Sequence, residues 1–138
     1  MLKTKIISYL SKEGNKRTSE KSFLKILKSI QESSNKDSRS IVKFSLIKVS
    51  PFLSIKKKKR NRQMVIEIPF LLKSSSRIFF AVKEIISIVQ RKKKSSFFFL
   101  FKHELLNSLI ENNEILKEKK EVYQKAFIKK AFAHFRWF

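Results

Sequence analysis

Three residues in this chain are strong breakers of regular structure: Gly14, Pro51 and Pro69. Glycine supplies the positive φ that tight turns need, and proline fixes φ while removing a hydrogen-bond donor. With one of the first and two of the second in 138 residues, the chain has few places to stop. Long helices with short connections are expected, with one interruption where the prolines fall.

The clearest helix is "SRIFFAVKEIISIVQR". Its Ile78, Phe79, Val82, Ile85, Ile86 and Val89 recur at three- and four-residue steps, leaving Lys83, Glu84, Ser87 and Gln90 on the other side. A second helix follows "EGNKRT", where Gly14 marks a turn, Thr18 can cap and Glu20 suits the positive helix end. Phe23, Ile26, Leu27 and Ile30 form its apolar face. Between Lys36 and Val49 a weaker pattern of Ile41, Phe44 and Leu46 predicts another helix. Beyond Ser95 and Ser96, which can cap, Phe98, Phe101, Leu105 and Leu109 step in the same way. The last helix is expected from near Lys119, turning Tyr123, Ala126, Phe127 and Ala131 inward, with "ENNE" (Glu111 to Glu114) in the connection before it.

"PFLSIKKKKRNRQMVIEIPF" breaks this rhythm. It is bounded by prolines and carries the β-branched stretch "MVIEI", which predicts two short strands with a basic tip. The expected fold is mainly α, a bundle of five to six helices with one protruding basic β-hairpin, in a single domain over residues 1–138. A domain of this size buries roughly two-thirds of its unfolded surface, and 42% hydrophobic residues provide the core.

Charge points to the partner. Lys and Arg number 33 against 11 Asp and Glu, a net +22 that repels itself in a compact state unless a polyanion neutralises it. Most lysines belong to solvated helix faces, but three clusters fall at connections. They are Lys16 and Arg17; Lys56, Lys57, Lys58 and Lys59 with Arg60 and Arg62; and Arg91, Lys92, Lys93 and Lys94. Six cations in the seven positions from 56 to 62 exceed what protection of a strand edge requires. Arg77, at the start of the clearest helix, joins this candidate set.

Other chemistries find little support. No cysteine is present, and His103 and His134 lack companions for a metal site. His103 and Glu104 are read as surface residues. No glycine-rich phosphate loop, nucleophile triad or acid pair is present, so neither an enzyme nor a cofactor is implied. "FFFLF" (Phe97 to Phe101) is far short of a membrane span, and its spacing fits a core stripe better than a membrane-surface helix. The start, "MLKTKIISYL", lacks a signal-peptide pattern. Abundant Phe, Ile, Lys and Ser with scarce Gly, Pro and Trp suggest an A+T-rich gene, as in organelles.

The chain ends in "AFAHFRWF", and here a family comes into view. "KKEVYQKAFIKKAFAHFRW" resembles the C-terminal helix and tail of ribosomal protein S-seven, which typically ends in A-F-A-H-Y-R-W. "EGNKRTSE" resembles that family's first turn, "VSPFLSIKKKKRNRQMVIEIPF" its hairpin and "KHELLNSLIEN" its A-N-E-L-x-D-A-A-E-N segment. The resemblance is collinear over nearly the whole chain. It implies a structural protein of the small ribosomal subunit that binds the 3′ major (head) domain of the ribosomal RNA. It also implies neighbouring head proteins and the exit-site tRNA and mRNA path as surroundings. The three basic clusters match the family's basic turn, hairpin and connection.

Two departures stand out. The family's basic N-terminal arm is missing, and its Gly-Gly hairpin tip is replaced within "KKRNR", where Asn61 best tolerates positive φ. With the A+T-rich composition, this divergence resembles a mitochondrially encoded member more than a plastid or bacterial one. The tail is expected to dock on the bundle while Arg136 and Trp137 face RNA; an equal alternative is that Phe132, Phe135 and Trp137 close the core. A generic basic DNA- or RNA-binding protein outside the ribosome is the competing reading.

Overall fold

The computed structural model describes residues 2–11, 14–34, 37–59, 65–92, 95–110 and 113–137. Its order is α1 (Leu2–Leu10), α2 (Lys16–Ser33), α3 (Ser38–Val49), β1 (Leu53–Lys59), β2 (Val65–Leu71), α4 (Ser74–Lys92), α5 (Phe97–Asn107) and α6 (Glu114–Ile128). A 310 segment, Lys130–Trp137, completes it. The mainly helical fold with one antiparallel hairpin agrees with the expectation from scarce breakers. Gly14 does adopt positive φ, at 76°.

Helix α4 lies at the centre, packed against α1, α3, α5 and α6. Ala81, Val82, Ile85, Ile88 and Val89 are all buried, so more than one face of this helix is covered. One core cluster runs from Ile6 and Leu10 through Phe23, Ile30, Val42, Leu46 and Phe101 to Ile115. Between α3 and α5 the buried Ser45 and Ser108 hydroxyls hydrogen-bond to each other, which satisfies two polar groups inside that core.

Several boundaries and faces differ from the expectation. Helix α2 begins at Lys16, and Thr18 lies inside its first turn, donating to the Asn15 carbonyl rather than capping. Ser96 precedes α5 but its side chain makes no capping bond. Asp37 does cap α3, accepting from the backbone N–H groups of Arg39 and Ser40 at 3.3 Å. Those donors hold its carboxyl below the usual range. Helix α6 starts at Glu114, five residues before the expected start, because Ile115 is fully buried and anchors the first turn. Phe44, Phe98, Leu109 and Phe127 are exposed rather than inward, and so is Ala131.

Strands β1 and β2 pair antiparallel, with Leu53 opposite Leu71 and Lys59 opposite Val65. Pro69 sits inside β2, opposite Ile55. A two-stranded ladder has only edge strands, where a missing N–H is tolerated. The root of the hairpin is half-buried and its lysine half is exposed. The C-terminal 310 segment packs on β2 and the end of α6. The tail therefore closes the hairpin root, where docking on the bundle was expected.

Candidate nucleic-acid interface

Along a strand, successive side chains point to opposite faces. The run Lys56–Lys59 therefore divides in two: Lys56 and Lys58 share a face with Ile66 and Ile68, and Lys57 and Lys59 share the other with Val65 and Glu67. Lys57 lies 3.8 Å from the Glu67 carboxylate, 73% exposed, a pair that contributes little in water. Lys56, Lys58 and Lys59 are exposed and have no carboxylate partner among the described residues. The hairpin thus presents cations on both faces of a thin ribbon.

The root of that ribbon is closed on itself and tied to two helices. The Phe52 backbone N–H donates to the Tyr123 hydroxyl on α6 at 2.8 Å. Leu72 N–H donates to the Phe52 carbonyl at 2.9 Å, extending the ladder by one bond. The Arg77 guanidinium stands over the Phe52 ring at 4.4 Å, and its Nε donates to the Leu72 carbonyl at 3.2 Å. Arg77, placed among the candidate RNA cations, is here engaged in fixing the hairpin to α4. Stacking of a guanidinium on an aromatic face is among the things lysine does poorly.

Lys16 and Arg17 are exposed in the first turn of α2, where the positive end of the helix adds to the field. The third cluster is different. Arg91 Nη2 donates to Glu118 Oε1 at 2.6 Å, and Lys92 Nζ donates to Glu104 Oε1 at 2.7 Å and lies 3.0 Å from Glu114 Oε2. Two of its four cations therefore join the end of α4 to α5 and α6. The Glu104 hydrogen bond is the main reason that the Lys92 ammonium is held above its ordinary range.

Glu104 overturns its surface reading. It is 1% exposed, and its Oε2 has no hydrogen-bond partner among the described residues. An ionised carboxylate so placed depends on Lys92 for compensation. His103 is exposed as expected, with Asn107 Nδ2 2.9 Å from its Nδ1. A second carboxylate pair lies nearby. Burial, reinforced by Glu118, pushes the Glu84 carboxyl up to about 7, while Glu84 and Arg91 hold Glu118 down.

Arg60, Arg62, Lys93 and Lys94 lie outside the described residues, as do Asn61 and the side chains of Arg136 and Trp137. In the tail, Phe132 and Phe135 stack at 6.1 Å and His134 sits 4.1 Å from Phe135. Among the described residues no helix is long and apolar enough to cross a membrane.

Sequence comparison places these features in a wider set. A profile of the family described as "Ribosomal protein S7p/S5e" matches residues 1–130. The chain is similar to the small ribosomal subunit protein uS7 of Wigglesworthia glossinidia brevipalpis, with 30% identity covering 97% of this chain and 85% of that protein. Against the uS7 protein of Oleidesulfovibrio alaskensis the identity is 25%, covering 99% and 86%. Against that of a Nitratiruptor species it is 28%, covering 97% and 86%. All three organisms are bacteria.

Proposed function

The chain belongs to the ribosomal protein S7p/S5e family, structural and non-enzymatic components of the small subunit, and on that premise we propose that it binds the 3′ major domain of small-subunit ribosomal RNA and supports assembly of the head. The hairpin carries this reading. Lys56, Lys58 and Lys59 stand exposed without carboxylate partners among the described residues, on a ribbon whose root is fixed by Tyr123 and Arg77. A rigid root spares much of the ordering cost of binding, and exposed lysines neutralise phosphates without needing base contacts. Arg60 and Arg62, which follow in the sequence, join the proposed set, and Lys16 and Arg17 form a second contact at the start of α2. Lys93, Lys94, Arg136 and Trp137 complete the proposed RNA set. Arg77, Arg91 and Lys92 serve it by holding elements in place.

We further assign neighbouring head proteins as partners, with the hairpin directed toward the exit-site tRNA and mRNA path. The residue usage of an A+T-rich gene supports a mitochondrial ribosome. The relatives named above are bacterial, so the RNA itself decides between the two.

The test is sedimentation of the tagged chain through a salt-containing gradient, with sequencing of the RNA that travels with it. Small-subunit ribosomal RNA is expected, and its sequence identifies the compartment. Replacing Lys56, Lys58 and Lys59 by alanine should reduce the salt slope of binding by about 2–3 units. Migration with unrelated RNA or DNA would establish a basic protein outside the ribosome instead, and an unchanged slope would remove the hairpin from the interface.

A further inference from the structure

The outer face of α3 carries apolar groups that the core does not use. Phe44 is 63% exposed and Ile47 57% exposed, one helical turn apart on the same face. Beside them a cleft of about 520 Å3 opens between α1, α3 and α4, floored by Leu2, Leu46, Ile47 and Ile78. Lys5 and Lys43 stand at its rim, both exposed, and no carboxylate lines it among the described residues. Exposed aliphatic and aromatic groups next to an open apolar cleft are the usual mark of a protein contact.

We propose that this face docks an acidic, aliphatic segment of a neighbouring protein. Charge decides the occupant. An aliphatic side chain fills the cleft, while flanking carboxylates meet the Lys5 and Lys43 ammonium groups, neither of which has an acidic partner among the described residues. RNA supplies the negative charge but no aliphatic group, and the one uncharged polar side chain lining the cleft among the described residues, Ser50, already donates to the Ile47 carbonyl at 2.8 Å. The surface contains none of the cations proposed for RNA. The inference rests on the chain standing in a particle with protein neighbours, and otherwise goes beyond the RNA reading.

The experiment uses full-length chain in small-subunit particles purified from cells, with protein stoichiometry measured by mass spectrometry. Two exposed-face variants are compared with wild type: Phe44→Asp with Ile47→Asp, and Lys5→Glu with Lys43→Glu. Both should lose the same neighbouring protein, its occupancy falling roughly tenfold, while the variant chain and the ribosomal RNA remain. A benzophenone amino acid at position 44 in otherwise unchanged protein should crosslink to that protein, within a peptide rich in carboxylates. This arm does not depend on the variants folding. Unchanged stoichiometry of every protein, a crosslink to ribosomal RNA, or a crosslink to a basic peptide would each overturn the assignment. Absence of the wild-type chain from small-subunit particles would overturn the ribosomal reading itself.

Discussion

Lys92 offers a sharp division between a cation that binds RNA and one that holds a fold. Replace it by methionine, which keeps most of the length of the side chain and removes the charge. Glu104, 1% exposed, then has neither Oε1 nor Oε2 satisfied. Removing one partner of a buried ion pair costs about 3–5 kcal/mol, because the remaining charge stays uncompensated. Unfolding entropy of about 2.1 cal/mol/K per residue over this length converts that to a melting-point fall of roughly 10–17 °C. The double variant Lys92→Met with Glu104→Leu should recover most of the loss, since apolar replacement of a buried pair is often neutral or better. Melting by circular dichroism at neutral pH reads both. The reasoning is refuted if Lys92→Met melts within a few degrees of wild type while the salt slope of RNA binding drops by about one unit. Lys92 would then be a phosphate contact rather than the partner on which Glu104 depends.

Three further outcomes follow from the same geometry. Arg77→Ala should lower stability by about 1–2 kcal/mol through loss of the Phe52 contact and the bond to the Leu72 carbonyl, while Arg77→Lys rescues little; a smaller salt slope with an unchanged melt would instead make it an RNA cation. Glu84 has a folded pKa of about 7, above its ordinary 4.5, so its contribution is complete below the ordinary value and is lost as pH rises through about 7. Relative to Glu84→Gln, the wild type should therefore lose stability between about pH 5 and about pH 8, and parallel melting curves across that window would refute the carboxylate pair. Deleting residues 135–138 should weaken RNA binding with the cooperative melt retained; loss of the melt would assign the tail a purely structural role.

Much of this architecture is written in local patterns. The apolar steps of α4 and the two prolines with their basic interval located the central helix and the hairpin, because period and breakers act over a few residues. Glu104 shows where charge misled. Phe101, Leu105 and Ser108 lie on the buried stripe of α5, and Glu104 falls between them at the same helical angle. The periodicity marked it as interior, and its charge made it look exterior. The early start of α6 was hidden by "KEKKE", whose charges are engaged by partners distant in sequence, Arg91 with Glu118 and the Lys48 carbonyl with Lys119. Phe44 and Phe127 sit in plausible apolar patterns yet face outward, since a stripe wider than its covering leaves a margin that only neighbouring helices define. The tail's place on β2 depends on residues about sixty positions apart and had no local sign.

On the RNA-binding role proposed above, the alternation of lysines along β1 bears on how many backbones the hairpin can meet. A strand of nucleic acid lying along one face meets Lys56 and Lys58 and leaves Lys59 pointing away from it. That charge would be open to a second strand arriving from the opposite side. In that role the hairpin would stand as a spacer between two backbones, separated by the thickness of one two-stranded ribbon. Each backbone alone would gain only part of the available neutralisation, so such a ribbon has room for two stretches of a long RNA on a surface that reads neither sequence.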